Sequence, residues 1–377
     1  MGDGKDYSLG GITLLCKFDG QRVTMASQIA GADETVSSLY SVKSEQATML
    51  SFDTYNYLVH YFGQPQGSMA DDPNGTLGGD YEFVISDATA DRIELKGKKY
   101  GNRIVMKAFS ADQTWKQYLT RIKKVEDDAF FYEYDLRMDG LYTGQMLRSN
   151  YTFIVTYYDE VGKVHQKTVP FMFTTDGMRF HEPVTIDGQT MQNFVWKNEE
   201  ISFVCTDEGA TEVKLAGVYT AGYQSYDYYP GTYQMDFYRL NDATNQMEVA
   251  SQEIQLVKDE DGKSYWLKGL EYDILVTYDK PRGGLSILPQ FLKKVQGGYV
   301  YLAMWDLMND YVLRSSAIGL ISYPTTDGIY LVDNGVWMGE ISGFIFGVYD
   351  SQDEEASFMG YTDAVAAIRL IKKTIEE

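Results

Sequence analysis

The chain has 377 residues, too many for one ordinary hydrophobic core, and typical domain sizes point to two domains. Its 44% apolar and 23% charged residues describe a globular protein, not a disordered chain or a membrane bundle. Subtracting 54 acidic from 33 basic residues gives −21, a charge that repels nucleic acid and anionic lipid surfaces and keeps a surface protein soluble.

The unusual numbers are 31 Tyr, 18 Phe and 5 Trp. Aromatic rings fit a half-buried pleated surface, so strands are expected over helices. No run of about 18 apolar residues is present to span a membrane. The start, Met1-Gly2-Asp3-Gly4-Lys5-Asp6, lacks the basic flank and apolar stretch of a signal peptide.

In chain order, Ile12, Leu14, Cys16 and Phe18 alternate along a first strand, and Ile201, Phe203 and Cys205 do so along a later one. Both cysteines therefore read as small core hydrophobes; a disulfide between them is not readable from sequence. From Gly10 to about Phe109 strands and turns follow one another. The clearest are Asp80 to Ile85, Arg92 to Gly97 and Arg103 to Lys107, a three-stranded meander. The loop Gly63 to Gly79, with Pro65, Pro73, Asn74 and Gly75, reads as a mobile flap. Over Asp112 to Glu126, Trp115, Leu119 and Ile122 recur at helical spacing and predict a short amphipathic helix.

Strands resume at Phe130 to Met138, Tyr151 to Tyr158 and Lys167 to Phe173, the last two joined by the turn Asp159-Glu160-Val161-Gly162. The polar stretch Thr206-Asp207-Glu208-Gly209-Ala210 is the expected domain boundary, dividing 1–209 from 210–377. Beyond it strands are expected near Tyr233 to Leu240, Gln252 to Lys258, Ser264 to Gly269, Asp273 to Tyr278, Gly298 to Trp305, Gly328 to Val332 and Gly343 to Tyr349. The segment Thr362 to Glu377 fits either a helix or a sheet-closing strand. The expectation is an all-β protein with a minor helix: two antiparallel β-barrel or β-sandwich domains, with lipocalin-like barrels among the candidates. Gly79 to Phe83 and Gly231 to Phe237 share a Gly-led aromatic strand, which would suit two related barrels.

Few residues suggest chemistry. His60 sits among aromatics as a structural histidine, and His165 lies in a hairpin return with no visible partner. His181-Glu182-Pro183 mimics the start of a metalloprotease motif, but the second histidine is absent and Pro183 breaks the helix it needs. Gly262-Lys263-Ser264 resembles the end of a phosphate loop, yet Val257 stands where its first glycine belongs, so it reads as a turn. The acidic loops at Asp71-Asp72-Pro73-Asn74 and Asp350 to Glu355 lack a full calcium pattern. No cofactor, metal or catalytic residue is assigned. A glycosidase carboxylate pair, defined by separation in space, stays open as the enzymatic alternative.

The most distinctive cluster is Tyr219, Tyr223, Tyr226, Tyr228, Tyr229, Tyr233 and Tyr238. Tyrosine joins a large apolar face to a polar tip at little entropic cost, which suits sugars and peptides. Packing is the first reading of the cluster. Tyr223, Tyr226, Tyr228 and Tyr229, outside clean alternation and ahead of Pro230-Gly231, are the candidate ligand-binding residues, while Tyr233 and Tyr238 read as sheet packing.

The stretches Thr48 to His60, Gly79 to Phe83, Lys96 to Asn102 and Thr174 to Phe180 resemble a family of Bacteroidetes surface lipoproteins, the domain of unknown function numbered 4302. The resemblance covers roughly the first half. It implies an exported, lipid-anchored protein found beside starch-utilisation-type outer-membrane importers, and it supplies no functional residues. The anchor itself is absent from this chain, and Cys16, within a strand, is not that anchor. The expected role is a non-catalytic extracytoplasmic accessory protein, at the outer membrane or cell surface, that captures a glycan or peptide for importer components. A glycoside hydrolase and a cell-surface adhesin are the alternatives.

Overall fold

The computed structural model describes residues 10–44, 47–63, 77–159, 161–241, 244, 246–353 and 355–373. The chain divides into two compact units, Met1–Val218 and Tyr219–Glu377. Antiparallel strands dominate both, as the alternation predicts.

The first unit begins with an open seven-stranded sheet ordered as in the sequence. Its strands are β1 (Leu14–Phe18), β2 (Arg22–Ser27), β3 (Val36–Ser44), β4 (Thr48–Phe52), β5 (Glu82–Ala88), β6 (Arg92–Gly97) and β7 (Arg103–Lys107). A one-turn helix, α1 (Tyr57–His60), packs Leu58 and Val59 against this sheet. Asn56 caps it: its side-chain oxygen accepts from Leu58 N, while its amide nitrogen donates to Ser38 Oγ at 3.1 Å. Residues 64–76, the bulk of the expected flap, and the acidic loop at 71–74 lie outside the described residues.

The expected helix is α2 (Trp115–Asp128). Thr114 and Gln117 form a reciprocal capping box at its start, which fixes where helix replaces strand. Leu119, Ile122 and Val125 are its buried stripe. Leu119 meets Leu15 and Ala26 of the open sheet, and Ile122 and Val125 enter the core of the barrel that follows.

That barrel is closed by eight strands: β8 (Glu133–Met138), β9 (Leu141–Ser149), β10 (Thr152–Tyr158), β11 (Val164–Phe173), β12 (Gly177–Ile186), β13 (Gln189–Lys197), β14 (Ser202–Cys205) and β15 (Lys214–Val218). Closure leaves no free edge. Two of its hairpins use two-residue turns, Asp139-Gly140 and Asp187-Gly188, with positive φ at both positions, the twist-matched geometry that favours Asp-Gly. Rings occupy its interior. Phe153 and Phe171 stack at 4.4 Å, and buried Tyr134 donates to the α2 C-terminal carbonyl of Ala129 at 2.9 Å. Residues 206–210, expected as the domain boundary, instead connect β14 to β15, and β15 pairs with β8 to close the ring.

The second unit repeats the barrel idea with different connectivity. Its strands are β16 (Gly231–Asn241), β17 (Gln246–Lys258), β18 (Ser264–Lys268), β19 (Ile274–Asp279), β20 (Gly284–Ile287), β21 (Gln290–Val295), β22 (Gly298–Asp306), β23 (Tyr311–Leu313), β24 (Leu320–Thr325), β25 (Gly328–Asp333), β26 (Gly343–Tyr349) and β27 (Phe358–Lys372). Strands β16 to β20, β24, β25 and β27 form an eight-membered ring that the β16–β27 pairing closes. The ambiguous C-terminal segment is therefore the closing strand. β27 also continues past the ring to pair with β26, extending the sheet through β22 to β21, with β23 beside β22.

The two Gly-led echo strands do not match each other. Glu82 and Phe83 belong to the open sheet and Gly231 to Phe237 to the second ring, so they do not mark equivalent places in two barrels.

Candidate functional site

The four candidate tyrosines lie in irregular chain ahead of β16, where no period orients them. Tyr229 is a core residue, 1% exposed, and its hydroxyl donates to Gly283 O at 2.8 Å. That corrects its expected place as a ligand contact: the hydroxyl is spent inside the protein. Tyr226 is half-buried, stacks on Tyr265 at 4.7 Å and donates to Ser264 O at 2.8 Å. Tyr265 returns a bond to Tyr226 O at 2.7 Å. Tyr278 donates to Gln224 O at 2.8 Å and lies 3.1 Å from the Tyr223 hydroxyl. Tyr233, expected as packing, is buried and donates to Tyr229 O at 2.7 Å; Tyr238, also expected as packing, is 44% exposed.

The second barrel thus holds the segment by its backbone carbonyls. Burial pushes the hydroxyl pKa values of Tyr229, Tyr233, Tyr265 and Tyr278 upward, so each is a neutral donor at physiological pH. Gly283, at φ +62°, completes the seat. A Cβ there would stand 2.5 Å from the Tyr223 ring and 2.7 Å from Gln224 N.

Two rings of the cluster face outward. Tyr228 is 39% exposed, with the Lys372 ammonium 5.0 Å from its ring centroid. Tyr219 is 46% exposed and its ring lies 4.5 Å from that of half-buried Tyr223. Desolvation lowers the Lys372 pKa, and its ammonium also donates to Tyr228 O.

A further group of rings went unnoticed in the sequence. On the outer face of β21, β22, β26 and β27, Phe291 pairs with Tyr301 across strands with ring centroids 5.4 Å apart. Tyr301 lies 5.7 Å from Tyr349, and Tyr349 lies 5.5 Å from Phe358. The Arg314 guanidinium lies 4.2 Å from the Tyr349 centroid and 4.8 Å from that of Tyr301, and donates to Asp353 O at 2.6 Å. The alternation Tyr299-Val300-Tyr301-Leu302 signals the outward tyrosines, but the strand order that assembles the strip is not written in any one segment.

A family model described as a domain of unknown function (DUF4302) matches residues 2–198, more than half of the chain. The chain belongs to this family. Residues 206–345 match a second model, likewise described as a domain of unknown function (DUF4987). No match was found among curated proteins or among solved structures.

Within the DUF4302 region the motif residues are architectural. Asp80 is buried and its carboxylate accepts from Lys99 N at 2.8 Å, Tyr100 N at 3.0 Å and the Asn102 side-chain nitrogen at 2.7 Å. It thereby folds the β6–β7 turn. His60 stacks on Tyr81 at 4.9 Å, the structural role its aromatic setting predicts. His165, expected to lack a partner, has one: its Nε2 lies 2.8 Å from Asp159 Oδ2, in the same hairpin. His181 is on β12, a strand and not the helix a metalloprotease motif requires. Ser264 of the Gly262-Lys263-Ser264 sequence donates to Asp261, as a hairpin turn should. Among the described residues, no group of three or more His, Cys, Asp and Glu could hold a metal. No described helix is long and apolar enough to cross a membrane.

Proposed function

We propose that this member of the DUF4302 family is a non-catalytic, extracytoplasmic binding protein, held at the cell surface by a lipid anchor in its precursor. There it captures a glycan or peptide for an outer-membrane importer. The observation that carries this reading is the construction of the 219–230 segment. Its buried tyrosines and the carbonyls they grip fix the backbone, so that Tyr219 and Tyr228 are presented already ordered. A rigid aromatic contact loses little entropy on binding, which is what recognition of a weakly adhesive ligand needs.

The test is a glycan and peptide array on the full chain, followed by calorimetry on any hit. The Tyr219→Ala, Tyr228→Ala double variant is expected to weaken binding about tenfold or more while its thermal unfolding stays close to that of the wild type. An array that stays blank, or a ligand turned over with release of product, contradicts the reading.

A further inference from the structure

The open sheet of the first unit ends at β7, which among the described residues pairs with β6 alone. The direction of its backbone groups follows from one bond. Gly97 N donates to Asn102 O at 2.7 Å, so the opposed residues 97 and 102 form a bonded pair of the antiparallel ladder, in which bonded and unbonded pairs alternate. Leu95 with Ile104 and Ile93 with Met106 are then bonded, while Lys96 with Arg103, Glu94 with Val105 and Arg92 with Lys107 are not. The N–H and C=O groups of Arg103, Val105 and Lys107 therefore point away from β6, toward the open edge. Opposed residues also share a face of the sheet. Ile93, Leu95, Ile104 and Met106 take the core face, which leaves Arg92, Glu94, Lys96, Arg103, Val105 and Lys107 on the other. Val105 is 39% exposed, and Lys96, Arg103 and Lys107 are exposed beside it.

We infer that the β7 edge is a docking site for an extended acidic segment of another protein, which joins the seven-stranded sheet as one more strand. The inference is independent of segment 219–230. Two arguments select the occupant. The edge offers ladder donors and acceptors at every second residue, and only an extended backbone answers them in register. Charge decides which backbone. In a chain of net charge −21, the hairpin from Arg92 to Lys107 holds six cations and one acid. Glu94 pairs with Arg92 and Arg103, Glu82 with Lys98 and Glu182 with Arg103, whereas Lys96 and Lys107 join no ion pair among the described residues. A second copy of β7 would set its own Arg103 and Lys107 against these, like charge on like, which is how edge strands are kept from pairing with themselves. An incoming strand with acids opposite Arg103 and Lys107 and an apolar residue opposite Val105 meets opposite charges instead. Its expected signature is acid, apolar, acid at every second position.

The experiment titrates the full chain calorimetrically with the end-capped peptide Thr-Glu-Ile-Val-Ile-Glu-Thr. A second peptide carries Lys at both Glu positions, and a third is N-methylated at Val and both Glu, the residues that face the outward groups of β7. The expected result is binding of the acidic peptide about tenfold tighter than of the Lys version, lost on N-methylation. The Lys96→Glu, Lys107→Glu double variant should weaken the acidic peptide about three- to tenfold and take up the Lys version instead. Val105→Pro removes an outward N–H without touching the β6 ladder, a position where an edge strand tolerates proline, and should abolish binding. Circular dichroism checks that the variants fold, and the N-methylated peptide makes the same test on the unaltered protein. Failure of the acidic peptide to bind, equal binding of the two charge versions, or indifference to N-methylation overturns the inference. Binding that Val105→Pro keeps and the Tyr219→Ala, Tyr228→Ala double variant loses overturns it too, and leaves the role of segment 219–230 standing. A dimer in sedimentation velocity that Val105→Pro dissolves assigns the edge to a second copy and equally overturns it.

Discussion

The carboxylate of Asp80 occupies the space in which a side chain at residue 97 would begin: a Cβ on Gly97 would lie 1.9 Å from Asp80 Oδ2. One residue is thus glycine because another, seventeen positions earlier, needs to reach the backbone of the β6–β7 turn. Gly97→Ala is expected to force the carboxylate out of its seat and destabilise the first unit by about 1–3 kcal/mol, as overpacking does. Asp80→Ala, which leaves the amides of Lys99 and Tyr100 without their acceptor, is expected to cost about 1–3 kcal/mol. If the two act through the same contact, the double variant costs less than the sum of the singles in urea unfolding.

Much of the fold is legible because alternation survives wherever one face of a strand is buried and the other wet. Arg92 to Gly97 and Gln252 to Lys258 are such strands. The C-terminal segment is ambiguous for a definite reason. Along β27, Val365 enters the barrel core while Ala364 and Ala366 enter a second apolar cluster on the other face. A strand covered on both sides loses its period of two, and the positive φ of Ala367 breaks what alternation is left. The candidate site is legible only as composition. Seven nearby tyrosines announce an aromatic cluster, but in irregular chain nothing in the order of residues says that Tyr229 turns inward while Tyr228 turns out.

The buried tyrosines of the second unit make a stability prediction at high pH. Tyr229, Tyr233, Tyr265 and Tyr278 all have hydroxyl pKa values raised above the ordinary value near 10. Below about pH 10 both folded and unfolded chains keep these protons, and stability does not depend on them. Above it the unfolded chain releases protons that the folded chain retains, so stability falls by about 1.4 kcal/mol per pH unit for each such group. The second unit should therefore unfold cooperatively in alkali, with the absorbance of these four tyrosinates appearing as a step at the unfolding transition, above the background from the exposed tyrosines of the chain. Tyr229→Phe removes one of two donors to Gly283 O, the other being the Gln224 amide at 3.2 Å, and should start this transition from a stability lower by about 1 kcal/mol.

Both cysteines are free thiols, and burial pushes Cys16 up to about 12 and Cys205 up to about 11. The thiolate is the reactive form, so neither residue should alkylate at neutral pH while the chain is folded. Iodoacetamide followed by mass measurement is expected to leave the native protein unmodified and to add two groups in denaturant. Cys16 is only half-buried, so its rapid labelling in the native protein would overturn the raised thiol pKa.

Arg369 ties the closing strand to its neighbours, with one nitrogen 2.9 Å from Asp236 on β16 and another 3.0 Å from Asp327 in the turn before β25. The Arg369 guanidinium bond is the chief cause holding the Asp236 carboxyl below its usual range. For Asp327 the chief cause is the Thr325 hydroxyl, then that of Tyr330, with Arg369 adding to it. Carboxylates with depressed pKa values contribute stability above about pH 4, and that contribution is lost as they protonate in acid. Arg369→Met should therefore lower the urea midpoint of the second unit at pH 7. The gap to wild type should close as the pH falls toward about 2, where the acids of both proteins are protonated. It should also narrow in high salt, because the partners are partly exposed and screened. A gap that persisted unchanged in acid would assign the effect to lost packing of the arginine stem against β16, and not to its charge.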